Sequence, residues 1–429
     1  MKRILVLLLV LSLFAALLPA ALAEPVTLEY ACMFTEGEPN AQWLKDIIPE
    51  FEAQTGIKVD ITFVGRDVLT KIKSRVLTND PPDLVDQDHS ELFAAFLSGD
   101  ETLLTDLGDF LKSENWDKDG TVADQFNMAM LEMYAKDGKV YIVPFSFITS
   151  GFFYNKNMFK EAGVEAPATW ADFLAAAETF KSKGIPFIGH DGQISFYNAY
   201  YYYWAVQRVM GAGNFLRAAT DATGAAWDEP GFLEAAKMVF EISKGGKDYF
   251  AKGYEGSAYP AGQSDWAMDG AAVNLNGAWL PNEVRDLVEN WDWGFFPFPV
   301  VEGGQGKVTD MEAYLLGWAI PQGAKHPAEA MEFLRFATSR ANADRSVDTT
   351  LNIASNKLAK FPDVHKDVGI YLANATNFHL SYDGVMSKAP QWWADVFYDL
   401  DNKLFFGTIT PEDFISQIKE KTIEFYKNK

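Results

Sequence analysis

The chain has 429 residues, with 37 Lys and Arg against 59 Asp and Glu and a formal net charge of −22. That length suits about two domains, and 48% hydrophobic with 22% charged residues supplies a full core and excludes wholesale disorder. The acidity argues against a nucleic-acid binder, which needs a basic face for phosphate; the single cysteine excludes an internal disulfide and any multi-cysteine metal or cluster site.

Lys2 and Arg3 precede an apolar run from Ile4 to about Leu18, and Ala21-Leu22-Ala23 offers small residues for cleavage. The pattern predicts a secretory signal peptide over residues 1–23, with mature protein from about Glu24. The rival reading, an uncleaved anchor, faces an apolar run that is short for a span. Glu29 stands where a lipoprotein signal needs an aliphatic residue, so no lipid anchor is expected on Cys32, which reads as a buried core thiol. The expected product is periplasmic or secreted.

Val26–Phe34 reads as a strand. The spacing of Leu44, Ile47, Ile48 and Phe51 predicts a helix that Asn40 caps and Gly56 ends. Ile57–Val64 alternates as a second strand, Asp67–Thr78 reads as a helix stopped by Pro81-Pro82, and Leu84-Val85 runs as a brief strand into Asp86-Gln87-Asp88. Such alternation predicts a parallel sheet covered on both faces, with a ligand crevice off the carboxyl ends of its strands. Those ends carry Glu36, Asp86 and Asp88, the first polar candidates.

A second α/β unit follows Val140–Val143. Gly151–Tyr154 is strand-like, and Asn155 caps a short helix. Thr169 and Asp172 frame the start of another, with Trp170, Phe173, Leu174, Ala177 and Phe180 on one face and Gly184 at its end. Ile185–Gly189 and Ala272–Leu275 read as strands; Phe196–Met210, Gly231–Ser243 and Leu280–Glu289 read as helices. Pro327 and Thr410-Pro411 open two late helices, the last with Ile415, Ile418 and Phe425 inward. No repeat or flexible linker separates the parts, which predicts two lobes joined by more than one crossing, a hinge architecture.

Catalytic and cofactor motifs fail at their defining positions. Around Gly303-Gly304-Gln305-Gly306-Lys307, Val301 and Val308 replace the first glycine and the Ser/Thr of a phosphate loop. Gly211-Ala212-Gly213 lacks the third glycine of a dinucleotide fingerprint, and no two histidines have helical zinc-pair spacing. No serine sits in a G-x-S-x-G elbow. No catalytic residue, cofactor or metal site is expected, although 59 acids leave a carboxylate pair of the glycosidase kind open.

The 12 Trp, 17 Tyr and 33 Phe belong mostly in a core, but several fall at element edges. Phe145 and Phe147 flank the first candidate crossing, and Tyr154 follows it. Tyr200-Tyr201-Tyr202-Tyr203-Trp204 sets rings on every side of a helix, so some are expected on a surface or in a cleft. Trp279 follows a polar strand exit, Trp318 follows Gly317, and Trp392-Trp393 follow Pro390-Gln391. Rings with polar rims suit a sugar, whose C–H faces stack and whose hydroxyls pair with carboxylates and amides.

Pro144-Phe145-Ser146-Phe147, Gly151–Phe159, Pro167-Ala168-Thr169-Trp170, Asn276-Gly277-Ala278-Trp279 and Gly317–Pro321 together resemble the family 1 extracellular solute-binding proteins of carbohydrate ABC transporters, the maltose-binding-protein-like group. The resemblance covers nearly all of residues 24–429. It implies a two-lobed α/β fold of the type II periplasmic-binding kind, each lobe a mostly parallel sheet with helices on both faces. Lobe 1 is expected over 24–145 plus about 300–348, and lobe 2 over about 146–299 plus 349–429.

The same resemblance implies capture of a sugar or oligosaccharide without chemistry and delivery to ABC permease transmembrane subunits, by a monomer with no cofactor and no nucleic acid. It places Tyr154 and Trp279 against the sugar. Trp204, Trp318, Phe145 and the less well aligned Trp392 are further candidate platforms; Glu36, Asp86, Asp88, Asn198 and Glu312 are candidate hydroxyl partners. A peptide, polyamine or metal-chelate ligand, and a secreted glycoside hydrolase, remain the alternatives.

Overall fold

Leu28, Tyr30 and Cys32 are fully buried along strand β1 (Thr27–Cys32), so the alternating face of the first strand points into a core. The computed structural model describes residues 25–99, 102–288 and 291–429; the expected signal peptide lies outside them. Among the described residues no helix is long and apolar enough to cross a membrane. β1 pairs in parallel with β2 (Lys58–Phe63) and β3 (Leu84–Asp88), as the sequence pattern implies.

The intervening helices span Pro39–Thr55 and Val68–Leu77. The first ends at Gly56, whose φ of 76° needs a glycine. It starts one residue before the expected cap: Pro39 takes the first helical position and Glu38 the extended one before it, leaving Asn40 inside.

Further strands are β4 (Ile142–Ile148), β5 (Ser150–Asn155), β6 (Val273–Gly277), β7 (Trp293–Phe296), β8 (Asp310–Ala319), β9 (Ile353–Ala354) and β10 (Asn377–Leu380). One sheet runs β2-β1-β3-β8-β4-β9 with β10 also on β8; the other runs β6-β5-β7. Strand directions are more mixed than a mostly parallel sheet. β8 lies antiparallel to β3 and β4, and β5 antiparallel to β6 and β7. The cause is the crossing itself: β5 and β8 each arrive from the other sheet and run against the strands they join. β9 and β10 also return the chain to the first sheet after residue 349, where the second lobe was expected.

Two crossings link the sheets, and a third connection leads from the first sheet to the helices of the second core. Thr149 alone separates β4 from β5, residues 297–309 lead from β7 to β8, and the chain leaves β10 through Ser381–Gly384. Tyr382 and Asp383 hold φ of 49° and 57° there, a left-handed conformation rare for residues with a side chain. Asp383 is anchored by the N–H groups of Gly213 at 2.6 Å and Phe215 at 2.9 Å.

Local signals are accurate where they are chemical. Asp172 N–H donates to Thr169 Oγ1 and Thr169 N–H to Asp172 Oδ2, both at 3.1 Å, closing the predicted capping box. Asn155 caps Lys156–Ala162. Two elements shrink: Ile185–Gly189 forms only isolated bridges through Ile188, and the helix after Trp279 covers Leu280–Glu283.

The helix Ser195–Met210 overturns one expectation. Tyr200, Tyr201, Tyr202, Tyr203 and Trp204 are all buried, so none faces a cleft. Pro230–Ile242, Tyr398–Phe405 and Phe414 of the last helix enclose it, and an apolar helix enclosed on all sides is the central element of a core. Arg208 on the same helix donates from Nε to Phe298 O at 2.8 Å and from Nη1 to Lys307 O at 2.6 Å, tying this core to the second crossing.

Candidate functional site

Trp279, just past the end of β6, is half-buried and its ring reaches Tyr314 of β8, which places it where the two sheets face each other. The strand β6 delivers it. Gly277 is required two residues earlier, because a Cβ there would stand 2.4 Å from the Trp279 ring. The indole thus lies back over the strand end. Three more rings converge on it: Tyr314 of β8 at 5.9 Å between centroids, Phe196 at 6.4 Å and Tyr197 at 6.5 Å, the last nearly parallel at 23°. Tyr314 and Phe196 keep partial exposure. The four rings come from three places: the chain just past β6, strand β8 of the other sheet and the start of the helix Ser195–Met210.

Charged groups surround this cluster. On the first sheet, Arg66 follows β2 and holds Glu38 with both ends of its fork, at 3.1 and 2.5 Å, while Nη1 also donates to Met33 O at 2.8 Å. Asp88 ends β3 and accepts the N–H of Glu91 at 2.9 Å. Opposite stands Glu283, one turn after Trp279, which accepts from Gln263 Nε2 at 2.9 Å.

Glu283 is solvent-exposed, yet its carboxyl is pushed up to about 7, first by burial against surrounding protein; hydrogen bonds from Gln263 and Tyr259 and the charge of Arg66 pull the other way. Glu91, also exposed, is pushed up by burial and then by the charge of Asp88. Exposure combined with a desolvated carboxyl marks a cleft wall: water reaches the group, but protein occupies most directions around it. The charge of Arg66 beside one sheet reaches Glu283 beside the other, so the two stand within electrostatic range across the gap between the sheets. Tyr398 reaches the same region, its hydroxyl raised to about 12 by burial and by several acids including Glu91 and Asp88.

The structure brings Trp279 to this cleft; Asp88 lies behind the wall, buried and occupied as the cap of the helix His89–Phe96, and the other predicted residues lie elsewhere. Trp204, Trp318 and Trp392 are fully buried, their ring N–H groups satisfied by Ser150 Oγ, Tyr30 OH and Thr422 Oγ1 at 2.8, 2.7 and 3.0 Å. Phe145 is buried against Trp318 and Trp43. Tyr154 sits at the far end of β5, since Ser150 pairs with Gly277 and Tyr154 with Val273; it packs on Phe159 and Phe296. These rings serve as core because aromatic area is worth most when fully removed from water.

Among the polar candidates, Asp86 is buried and accepts the N–H of Met33 at 2.8 Å, bracing β1 against β3. Asn198 is spent on His190, Gly192 O and Asn402. Glu312 holds Ser150 at the first crossing. Glu36 is largely exposed and turned to Lys45 at 3.5 Å.

Arg66, Glu38, Glu91, Glu283, Phe196, Tyr197 and Tyr314 are the cleft residues the sequence reading passed over. Arg66 obeys the same strand-end rule that selected Glu36 and Asp88, so that signal was available. Among the described residues no cluster of three His, Cys, Asp or Glu is arranged to hold a metal ion.

Comparison with known proteins agrees with this architecture. The family model described as bacterial extracellular solute-binding protein matches residues 36–344. The multiple sugar-binding protein of Streptococcus mutans is 26% identical over 335 residues, covering 74% of this chain and 72% of that protein. The melibiose/raffinose/stachyose-binding protein of Bacillus subtilis is 26% identical over 362 residues, covering 79% and 78%. A structure from work on xylan utilization by Caldanaerobius polysaccharolyticus shares the fold, with a TM-score of 0.76 at 22% identity over 92% of this chain and all of that one. With the family model spanning well over half its length, the chain belongs to the bacterial extracellular solute-binding proteins.

Proposed function

We propose that this protein captures a sugar or short oligosaccharide at Trp279, between two lobes, and delivers it unaltered to the transmembrane subunits of an ABC importer outside the cytoplasm. The observation that carries the reading is the partly exposed Trp279 among Tyr314, Phe196 and Tyr197, bordered by the Arg66–Glu38 pair and Glu283. Rings offer faces to sugar C–H groups, and fixed carboxylates and guanidinium offer partners to hydroxyls. The names of the Streptococcus and Bacillus relatives support the same ligand class.

Magnitudes require several contacts at once. One stacked sugar face of about 40–60 Å² is worth only ~1–1.5 kcal/mol at ~25 cal/mol per Å². Micromolar affinity needs about −8 kcal/mol, so rings and hydroxyl partners must act together. We read residues 25–148 with 310–380 as one lobe and 150–296 with 381–429 as the other, since those ranges hold the two sheets. A ligand touching both walls favours closure, and the permease reads the closed form.

A thermal-shift screen over mono- and oligosaccharides, followed by calorimetry and recovery of the ligand, tests this reading. At least one sugar raises the unfolding temperature and is recovered intact. No response from any sugar, or release of cleaved products, rejects it. Spermidine belongs in the screen, because the exposed carboxyls of Glu91 and Glu283 could each take an ammonium; a response to it alone transfers the site to a polyamine.

A further inference from the structure

An apolar cavity of about 500 Å³ opens on the first core, with Trp279 outside its lining. Its walls are Met130, Leu131, Phe147, Leu315, Leu372 and Phe378. The volume falls within the range of ordinary small-molecule sites, about 300–1,000 Å³. Phe147 and Leu315 belong to β4 and β8, the strands that lead to and from the crossings. Leu372 belongs to the helix Lys366–Ala373, which rests on the second sheet because Asp367 accepts the N–H of Phe295 at 3.2 Å and pairs with Lys156 at 2.9 Å. An occupant therefore touches elements tied to both sheets.

Two features shape the cavity and give it a chemical sense. Gly369 lies inside that helix, and a Cβ there would stand 3.0 Å from the Phe361 ring at the mouth. Glycine weakens a helix interior, and here it lets the Phe361 ring pack directly on the helix backbone. The second feature is the segment Ser355–Lys360 along one wall. The Ser355 hydroxyl is buried with no hydrogen-bond partner. Lys357 donates to Phe126 O at 3.2 Å and, among the described residues, forms no ion pair; Lys360, also on the lining, pairs with Asp348.

An apolar chamber edged by an ammonium outside any direct ion pair, with Asp124 only near enough to feel its charge, and by an unpartnered hydroxyl matches an amphiphile with an anionic head. A cation would meet lysines, and a sugar would leave its hydroxyls without partners on the apolar walls. We propose that this cavity is a second ligand site, for a linear aliphatic carboxylate whose tail lies on Leu315, Leu372 and Phe378 and whose head pairs with Lys357 and Ser355. The site is separate from the cleft and does not depend on what the cleft binds.

Dodecanoate and dodecanol, titrated into the full chain by calorimetry, test it, with Lys357→Glu and Met130→Trp as variants. Dodecanoate binds one per chain. Lys357→Glu weakens it by at least about tenfold and leaves dodecanol unchanged; Met130→Trp, which fills the chamber, abolishes both. Equal binding of acid and alcohol, with no effect of Lys357→Glu, overturns the carboxylate assignment. Absence of binding, or binding that Met130→Trp leaves intact, overturns the site. Far-UV circular dichroism establishes that each variant is folded. If Met130→Trp does not fold, the surface variant Lys357→Glu and the acid–alcohol comparison decide, a Lys357→Glu that binds dodecanoate as the parent does overturning the proposal.

Discussion

Glu312 of β8 accepts the backbone N–H of Ser150 at 2.9 Å, across 162 residues of sequence and at the point where the chain passes from one sheet to the other. Ser150 Oγ in turn receives the ring N–H of Trp204 at 2.8 Å. One carboxylate thus joins the strand leading into the second sheet, the strand leading back, and the central helix of the second core. Its other oxygen, Oε1, is buried without a partner, and burial raises the acid's pKa.

Removing that carboxylate should loosen the crossing. Hydrogen bonds to a charged group are worth about 1.5–3 kcal/mol, so Glu312→Ala is expected to lower unfolding stability by roughly that amount in urea titrations. Glu312→Gln keeps one acceptor and should lose about half as much. A Glu312→Ala variant as stable as the parent would show that the crossing does not depend on this contact.

Trp279 tests the cleft directly. Trp279→Ala should weaken binding of the cleft ligand at least tenfold, about 1.4 kcal/mol, in calorimetry, together with some loss of stability because the ring also packs against both cores. Gly277→Ala should do similar harm by another route: its new Cβ meets the indole at 2.4 Å and displaces it from the strand end. Unchanged affinity in both variants removes Trp279 from the site.

The contrast between Trp279 and Trp204 shows what a single sequence can reveal. Trp279 follows a polar strand end, and strand ends in α/β sheets are where ligands gather, so a local signal existed. Trp204 and the four tyrosines before it carry the same ring chemistry, but their burial depends on helices drawn from residues 230–242, 398–405 and 411–427. Periodicity along one helix cannot report how many neighbours enclose it. The capping box at Thr169 and Asp172 was legible because its partners are three residues apart. Arg66 acting on Glu283 was not, because that relation exists only once two sheets face each other.

Glu283 also gives the cleft a pH dependence. Its carboxyl moves from an ordinary 4.5 to about 7, mainly through burial. The folded chain therefore keeps a proton that the unfolded chain releases, and stability falls as pH rises through about 4.5 to 7 before levelling. Glu283→Gln should flatten this decline in urea midpoints compared at about pH 5 and about pH 8. A slope identical to the parent's would place the carboxyl in open water, outside the cleft wall.

Tyr201 and Tyr203 lie on the same enclosed helix and differ in one respect. The Tyr203 hydroxyl shares a hydrogen bond with His379 Nδ1 at 2.7 Å, whereas the Tyr201 hydroxyl is buried with no partner. Deleting a satisfied buried hydroxyl forfeits the bond and strands its partner, a loss of about 1–2 kcal/mol; deleting an unsatisfied one removes a desolvation penalty and is neutral or stabilising. Tyr203→Phe should accordingly lower stability while Tyr201→Phe leaves it equal or higher, measured as urea midpoints at constant slope. Neither should change ligand affinity, because both rings belong to the core. An affinity loss in Tyr203→Phe at unchanged stability would instead extend the ligand contact of this helix inward from Phe196 and Tyr197 at its start and require a larger cleft than the one around Trp279.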